Sequence, residues 1–232
     1  MSSSRPPAVL FDVDGTLIDS NYLHVHAWQR AFAEVGLPVE AWRIHRSIGM
    51  DGSTLVSTLS DDAAEEVQHQ LKDLHDKHYR ETTHLLKPLP GARELLRRVA
   101  ELGLQVVLAT SAPEDELAIL REVLDSEDVI SEVTSSEDVD TAKPEPDIVQ
   151  IALDRAGVDA DTAVFVGDAV WDAKAARAAK VPIIGVRSGG VAQSELENAG
   201  AAAIFDNPQD LLDHLDSTRI ADLAPRRSGA PS

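Results

Sequence analysis

Four short segments carry the residue types that do chemistry. Asp12 and Asp14 lie one residue apart in Phe11-Asp12-Val13-Asp14-Gly15-Thr16-Leu17, directly after the apolar run Ala8-Val9-Leu10. Thr110 and Ser111 end a second apolar run, Val107-Leu108-Ala109. Lys143 opens Lys143-Pro144-Glu145-Pro146-Asp147, where two prolines fix the backbone around one cation and lead into a helix. Gly167-Asp168 closes Val164-Phe165-Val166, with Gly167 expected to let the chain turn tightly, and Asp172 follows one helical turn after Asp168, so both carboxylates can face one way. Each segment alone has a plain structural reading: an Asp-Gly turn, a helix cap, a solvated loop lysine.

Together they say more. All four stand at the ends of apolar runs that read as strands, and in a parallel sheet ligands bind beyond the carboxyl ends of the strands. The segments bring together four carboxylates, a hydroxyl and one cation. Two carboxylates about 4 Å apart repel by roughly 4 kcal/mol at an effective dielectric near 20, so such a cluster needs a compensating positive charge. Hard oxygen ligands without His or Cys favour Mg²⁺, which keeps several waters and leaves positions open for a phosphate.

The elements that must position these residues can be read from the apolar pattern. Short runs at Ala8–Phe11, Leu104–Ala109, Val129–Val133, Ala163–Val166, Val181–Val186 and Ala202–Phe205 read as strands, the third the weakest. Helical periodicity separates them at Ala92–Leu102, Glu114–Leu124, Asp147–Ala156, Trp171–Ala179 and Gln193–Ala199. This alternation predicts right-handed β-α-β units, an α/β fold with a parallel sheet. Residues 20–85 break the rhythm with helical spacing only, as in Leu23, Ala27 and Phe32 or Val67, Leu71 and Leu74, over a length far beyond a crossover loop. An all-helical subdomain inserted after the first strand accounts for them. The expected division is a core of residues 1–19 and 86–217, a helical cap of 20–85, and a disordered tail of 218–232 rich in Arg, Pro, Ser and Gly.

Composition narrows the function classes. The chain has 232 residues, 43% hydrophobic and 26% charged, and a formal net charge of −19 that opposes nucleic acid and anionic membranes as partners. It also opposes an anionic substrate unless local cations intervene. The chain contains no cysteine, which excludes disulfides, thiolate metal sites and a thiol nucleophile. The start lacks the apolar stretch of a signal peptide and no run is long enough to span a membrane, so a cytoplasmic location is expected.

Taken in order and spacing, Asp12-Val13-Asp14-Gly15-Thr16, Thr110, Lys143-Pro144-Glu145-Pro146 and Gly167-Asp168 through Asp172 resemble the motifs of the haloacid dehalogenase superfamily of phosphohydrolases, over about Ala8 to Phe205. The insertion is similar to the helical cap of the subgroup with phosphoglycolate phosphatases and β-phosphoglucomutases. The resemblance implies a Rossmann-like core of five or six strands with the first strand central. It implies that Asp12 attacks phosphorus to give an aspartyl-phosphate, and that Asp14 serves as general acid and then general base. Mg²⁺ would be held by Asp12, the Asp14 backbone carbonyl and Asp168, with Asp172 in support; Thr110, with Ser111 beside it, and Lys143 would hold phosphoryl oxygens. The expected activity is hydrolysis of a small phosphorylated metabolite, a sugar phosphate or phosphoglycolate type ester, by a monomer or homodimer.

Asp14 speaks against dehalogenase and phosphonatase chemistry, which the resembling family carries out without it. A sugar phosphomutase keeps both aspartates and remains the alternative; it needs a second phosphate site, for which Arg43 or Arg46 in Trp42-Arg43-Ile44-His45-Arg46 are candidates, although an exposed helix face explains them equally. Gly49-Met50-Asp51-Gly52 is expected to be the cap segment that meets substrate. His69, His75, His78 and His84 lie in a polar stretch and are not expected to bind metal. A signalling receiver would place its phosphorylated aspartate at the third strand and carry no insertion. A non-catalytic module would be expected to lack at least one of Asp12, Asp14, Lys143 or Asp168, all present here.

Overall fold

The computed structural model describes residues 5–135 and 147–225. Among these, strands β1 (Ala8–Phe11), β2 (Gln105–Ala109), β3 (Ile130–Thr134), β4 (Ala163–Gly167), β5 (Ile183–Val186) and β6 (Ala203–Phe205) form one sheet in the order β3-β2-β1-β4-β5-β6. Every neighbouring pair is parallel. β1 is fully buried, and so is β4 beside it, which is why both read as unbroken apolar runs; β3 at the edge is half-exposed and gave the weakest signal. The strands at Gln105, Ile183 and Ala203 start one or two residues inside the runs that marked them.

Between β1 and β2 lie α1 (Asn21–Glu34), α2 (Ala41–Ser47), α3 (Gly52–Leu59), α4 (Glu65–Arg80) and α5 (Ala92–Glu101); α6 (Glu114–Leu124), α7 (Asp147–Ala156), α8 (Val170–Ala178), α9 (Gln193–Ala199), α10 (Pro208–Asp213) and α11 (Arg219–Leu223) follow. Helices cover both sheet faces. On one, Leu95, Leu96, Leu117, Leu120 and Leu211 pack over Phe11, Leu108 and Val166; on the other, Ile148, Val149, Ala152 and Ala176 pack over Leu10, Val107 and Phe165. The α1–α4 insert buries an apolar cluster of its own, with Trp28, Phe32, Ile44, Leu55 and Leu71 at its centre.

The end of the chain corrects one expectation. Residues 219–223 form α11 rather than a disordered tail, because Thr218 accepts from the Ile220 N–H at 3.2 Å as an N-cap and Ile220 is wholly buried in the main core. The Arg-, Pro- and Ser-rich composition begins only after Ala224, and residues 226–232 lie outside the described residues.

Candidate active site

The loops leaving β1 and β4 set the centre of the site, because these strands are neighbours in matched register, Phe11 beside Val166. Asp12 continues the ladder by donating its N–H to the Val166 carbonyl at 3.0 Å, which fixes its side chain next to the loop carrying Asp168. One oxygen from each of Asp12, Asp168 and Asp172 lies within 4.8 Å of the others, all three residues buried. Thr16 Oγ1 donates to Asp168 Oδ1 at 3.1 Å and stands 3.4 Å from Asp12 Oδ2. Asp172 Oδ2 accepts from the Ala169 N–H at 3.0 Å, so the residue caps α8 and faces the cluster at once. Gly167 has no left-handed backbone angle, and a Cβ there would meet the Asp172 carboxylate at 2.6 Å, so glycine serves the close approach of that carboxylate.

Burial pushes the Asp168 carboxyl well above the usual range, with Asp172 and then Asp12 adding to the shift and the bonds from Asn21 and Thr16 opposing it. Three buried carboxylates resist ionising together, and a cation among them would offset that repulsion. Asn21, at the start of α1, was missed in the sequence. Its Nδ2 donates to Asp168 Oδ2 at 2.9 Å, while its Oδ1 is buried without a hydrogen-bond partner. The all-oxygen set of Asp12, Asp168 and Asp172 fits a hard divalent ion such as Mg²⁺.

Asp14 turns to a second network. Its Oδ1 accepts from Ser20 Oγ at 2.5 Å and faces His24 Nε2 at 3.3 Å. Glu116, at the start of α6, brings Oε1 to 3.4 Å from the same His24 nitrogen. On the far side, His24 Nδ1 lies 3.1 Å from His75 Nε2, and His75 Nδ1 lies 3.1 Å from Asp76 Oδ1. Tyr79 stacks on His24 with ring centres 4.1 Å apart, and Trp28 on His75 at 4.0 Å. Burial works against charge on His24, but Glu116 and Asp14 outweigh it and raise the imidazole to about 9. Burial lowers His75 to about 4. Glu116 is pushed up by burial, with His24 opposing. A charged His24 donates from both nitrogens, to Asp14 and to a neutral His75, which in turn donates to Asp76. The three groups Asp14, His24 and Glu116 also fall within 4.8 Å of one another, and the imidazolium is their cation.

Other sequence-predicted residues are placed as follows. Thr110 is buried at the end of β2, and its Oγ1 accepts from the Ala112 N–H at 3.1 Å. Ser111 is half-buried beside it. Lys143 lies outside the described residues. Arg46 does not reach the aspartate cluster; its guanidinium pairs with Glu195 on α9, and Arg43 lies 3.7 Å from Glu40. Asp51 caps α3 through the Ser53 and Thr54 N–H groups, and a Cβ on Gly49 would meet that of Ala169 at 2.9 Å, so the 49–52 segment abuts the loop that carries Asp168. His78 is fully buried, 2.8 Å from Glu34, between α1 and α4. His24 and Glu116 escaped sequence reasoning. Ser20 and His24 are four residues apart, one helical turn, and that spacing after Asp14 is the only signal that pointed to the pair.

An acidic, cation-ready centre at the carboxyl edge of a parallel sheet, beneath a helical insert, defines a class of phosphate-transferring hydrolases. Residues 9–186 match the model of the haloacid dehalogenase-like hydrolases, and the chain belongs to that family. It is 32% identical over 220 residues to a phosphoglycolate phosphatase of Rhodospirillum rubrum, covering 90% of this chain and 91% of the relative. It is 33% identical to a phosphoglycolate phosphatase of Yersinia pestis, covering 97% and 94%. A hydrolase from Pseudomonas syringae superposes with a TM-score of 0.87 at 38% identity, covering 91% of this chain and 98% of that one. A putative β-phosphoglucomutase from Bacteroides vulgatus shares the fold at a TM-score of 0.85 and 23% identity, covering 97% and 93%. The protein is a phosphoric monoester hydrolase of the haloacid dehalogenase-like family.

Proposed function

We propose that this phosphatase hydrolyses a small sugar-phosphate or phosphoglycolate-type monoester in a Mg²⁺-dependent reaction through an aspartyl-phosphate on Asp12. The observation that carries this reading is the meeting of the Asp12, Asp168 and Asp172 carboxylates beside an Asp14 that has its own proton-bearing partners. Asp12, Asp168 and the Asp14 backbone carbonyl would hold the ion, which when bound supplies charge neutralisation for the phosphoryl group. An Asp12 oxygen forms the bond to phosphorus as the ester P–O bond breaks, and the leaving alkoxide takes a proton from Asp14. Water then attacks the same phosphorus, passes its proton to Asp14, and the bond to Asp12 breaks to release inorganic phosphate. We assign the proton transfer to the Asp14 carboxyl, which Ser20 and His24 hold in place through Oδ1. Residues 20–85 act as the cap that excludes water from the phosphoenzyme, and Thr110 and Lys143 as phosphoryl ligands.

The phosphatase reading is preferred to a mutase because Arg43 and Arg46, the cations offered for a second phosphate, are already paired with Glu40 and Glu195. Phosphate release should be measured over sugar phosphates, phosphoglycolate and nucleoside monophosphates, with Mg²⁺ and with EDTA, beside a mutase assay on a hexose 1-phosphate. Asp12→Asn is expected to lose on the order of 10⁴-fold or more in kcat. Turnover by Asp12→Asn near the normal rate, or undiminished in EDTA, overturns the proposal.

A further inference from the structure

The amide orientation of Asn21 is fixed by chemistry. Its Nδ2 faces two acceptors, Asp168 Oδ2 at 2.9 Å and the Gly189 carbonyl at 3.5 Å, so the nitrogen cannot be exchanged with the oxygen. Oδ1 is therefore held on the other side, buried, with no donor from the protein. The residue itself is only 5% exposed. An unsatisfied buried acceptor of this kind is destabilising, so the side chain is held there by what its nitrogen does.

The two contacts of Nδ2 come from different parts of the fold. Asn21 begins α1 of the insert, whereas Asp168 follows β4 and Gly189 follows β5. The Gly189 carbonyl also lies 2.8 Å from His45 Nε2 on α2, so two insert side chains converge on one core carbonyl. The packing there is close: a Cβ on Gly189 would stand 1.6 Å from Asp168 Oδ2 and 2.9 Å from Asn21 Nδ2. Asp168 thus has one oxygen set by Thr16, from the β1 loop, and the other by Asn21, from the insert.

We propose that Asn21 is a positioning residue for the cation site, its nitrogen orienting Asp168 from the insert, so that cation binding and the seating of the helical insert are linked. The proposal rests on the Mg²⁺-phosphatase reading above and deepens it. Linkage makes the effect reciprocal: a bound ion tightens the insert on the core, and a seated insert tightens the ion. Residues that orient a metal ligand in this way are worth about 10- to 100-fold in affinity.

The test uses the full chain, freed of metal, with Mg²⁺ alone as probe. Calorimetric titration gives the Mg²⁺ dissociation constant of the wild type, Asn21→Leu, which keeps the volume, and Asn21→Ala, which removes it. Both variants are expected to bind about 10- to 100-fold more weakly. Hydrogen exchange reads the linkage separately: Mg²⁺ should slow exchange in the first turns of α1 in the wild type and not in Asn21→Leu. A purely structural Asn21 would leave the Mg²⁺-induced protection intact. Dissociation constants within twofold of the wild type, or equal Mg²⁺ protection in the variants, overturn the role of Asn21 while leaving the phosphatase reading standing. A wild type that binds no Mg²⁺ overturns both.

Discussion

The pair His24–Glu116 is expected to make the metal-free protein lose stability as pH rises from neutrality. An imidazole raised from 6.5 to about 9 binds its proton in the folded chain over a range where the unfolded chain has released it. Its contribution is complete below pH 6.5 and lost as pH climbs through 9. At 1.36 kcal/mol per pKa unit the loss from His24 is about 3 kcal/mol. Glu116 acts in the same direction: a buried carboxyl raised from 4.5 to about 8 keeps its proton in the fold after the unfolded chain has released it, so its support is lost progressively up to pH 8. The two groups are 3.4 Å apart and titrate as a pair, so the observable is their joint profile rather than two separate steps. The perturbation is therefore the double variant His24→Asn with Glu116→Gln, which removes both protons and keeps polar side chains. Urea unfolding in EDTA at intervals from pH 6 to 9.5 gives ΔG for each protein. Relative to the double variant, the wild type should lose at least about 3 kcal/mol across this range. Parallel profiles would show that neither group has a shifted pKa in the fold, and the charged His24 drawn between Asp14 and Glu116 would have to be abandoned.

Gly189→Ala places a methyl against Asp168 Oδ2, at 1.6 Å if nothing moves, so the carboxylate must swing out of the cluster; kcat/KM should fall about 100-fold or more with the far-UV spectrum retained. Arg46→Ala removes an exposed pair with Glu195 and should cost under about 1 kcal/mol in urea unfolding and leave kcat/KM within about twofold. A tenfold loss of kcat/KM in that variant would instead restore Arg46 to the substrate site.

Legibility in the sequence followed the physics of each part. β1 and β4 were readable to the residue or nearly so because strands buried on both faces show an unbroken apolar run, as Ala8–Phe11 does. Asp12, Asp168 and Asp172 were readable as a set because backbone geometry puts strand-end residues of adjacent parallel strands side by side. The Arg46–Glu195 pair was not legible because a long exposed side chain answers to its neighbours in space, and Glu195 is 149 residues away in sequence. Asn21 and Glu116 were invisible, and His24 had only its spacing from Ser20 to mark it, for a related reason. They are single residues near helix starts, and their meaning comes from how the insert docks on the core, which no local pattern encodes. α11 was missed because its apolar residues, Ile220 and Leu223, are few and its basic, proline-rich surroundings dominate the composition.

The docking of the insert also bears on the net charge of −19. Charge alone would keep a phosphate ester away, yet the acidic groups nearest the centre are not left as bare anions. Asp168 carries donors on both oxygens, Asp14 is flanked by a hydroxyl and an imidazolium, and Glu116 shares that imidazolium. Two of these donors, Asn21 and His24, belong to α1 of the insert. If the insert lifts away, Asp14 and Glu116 lose their imidazolium and Asp168 loses an amide, so the core opening becomes more negative. Seating the insert therefore does electrostatic work: it supplies the positive end of two networks that the core leaves unfinished. An anionic substrate and a seated insert should for this reason favour one another, and a cation bound among Asp12 and Asp168 would strengthen both.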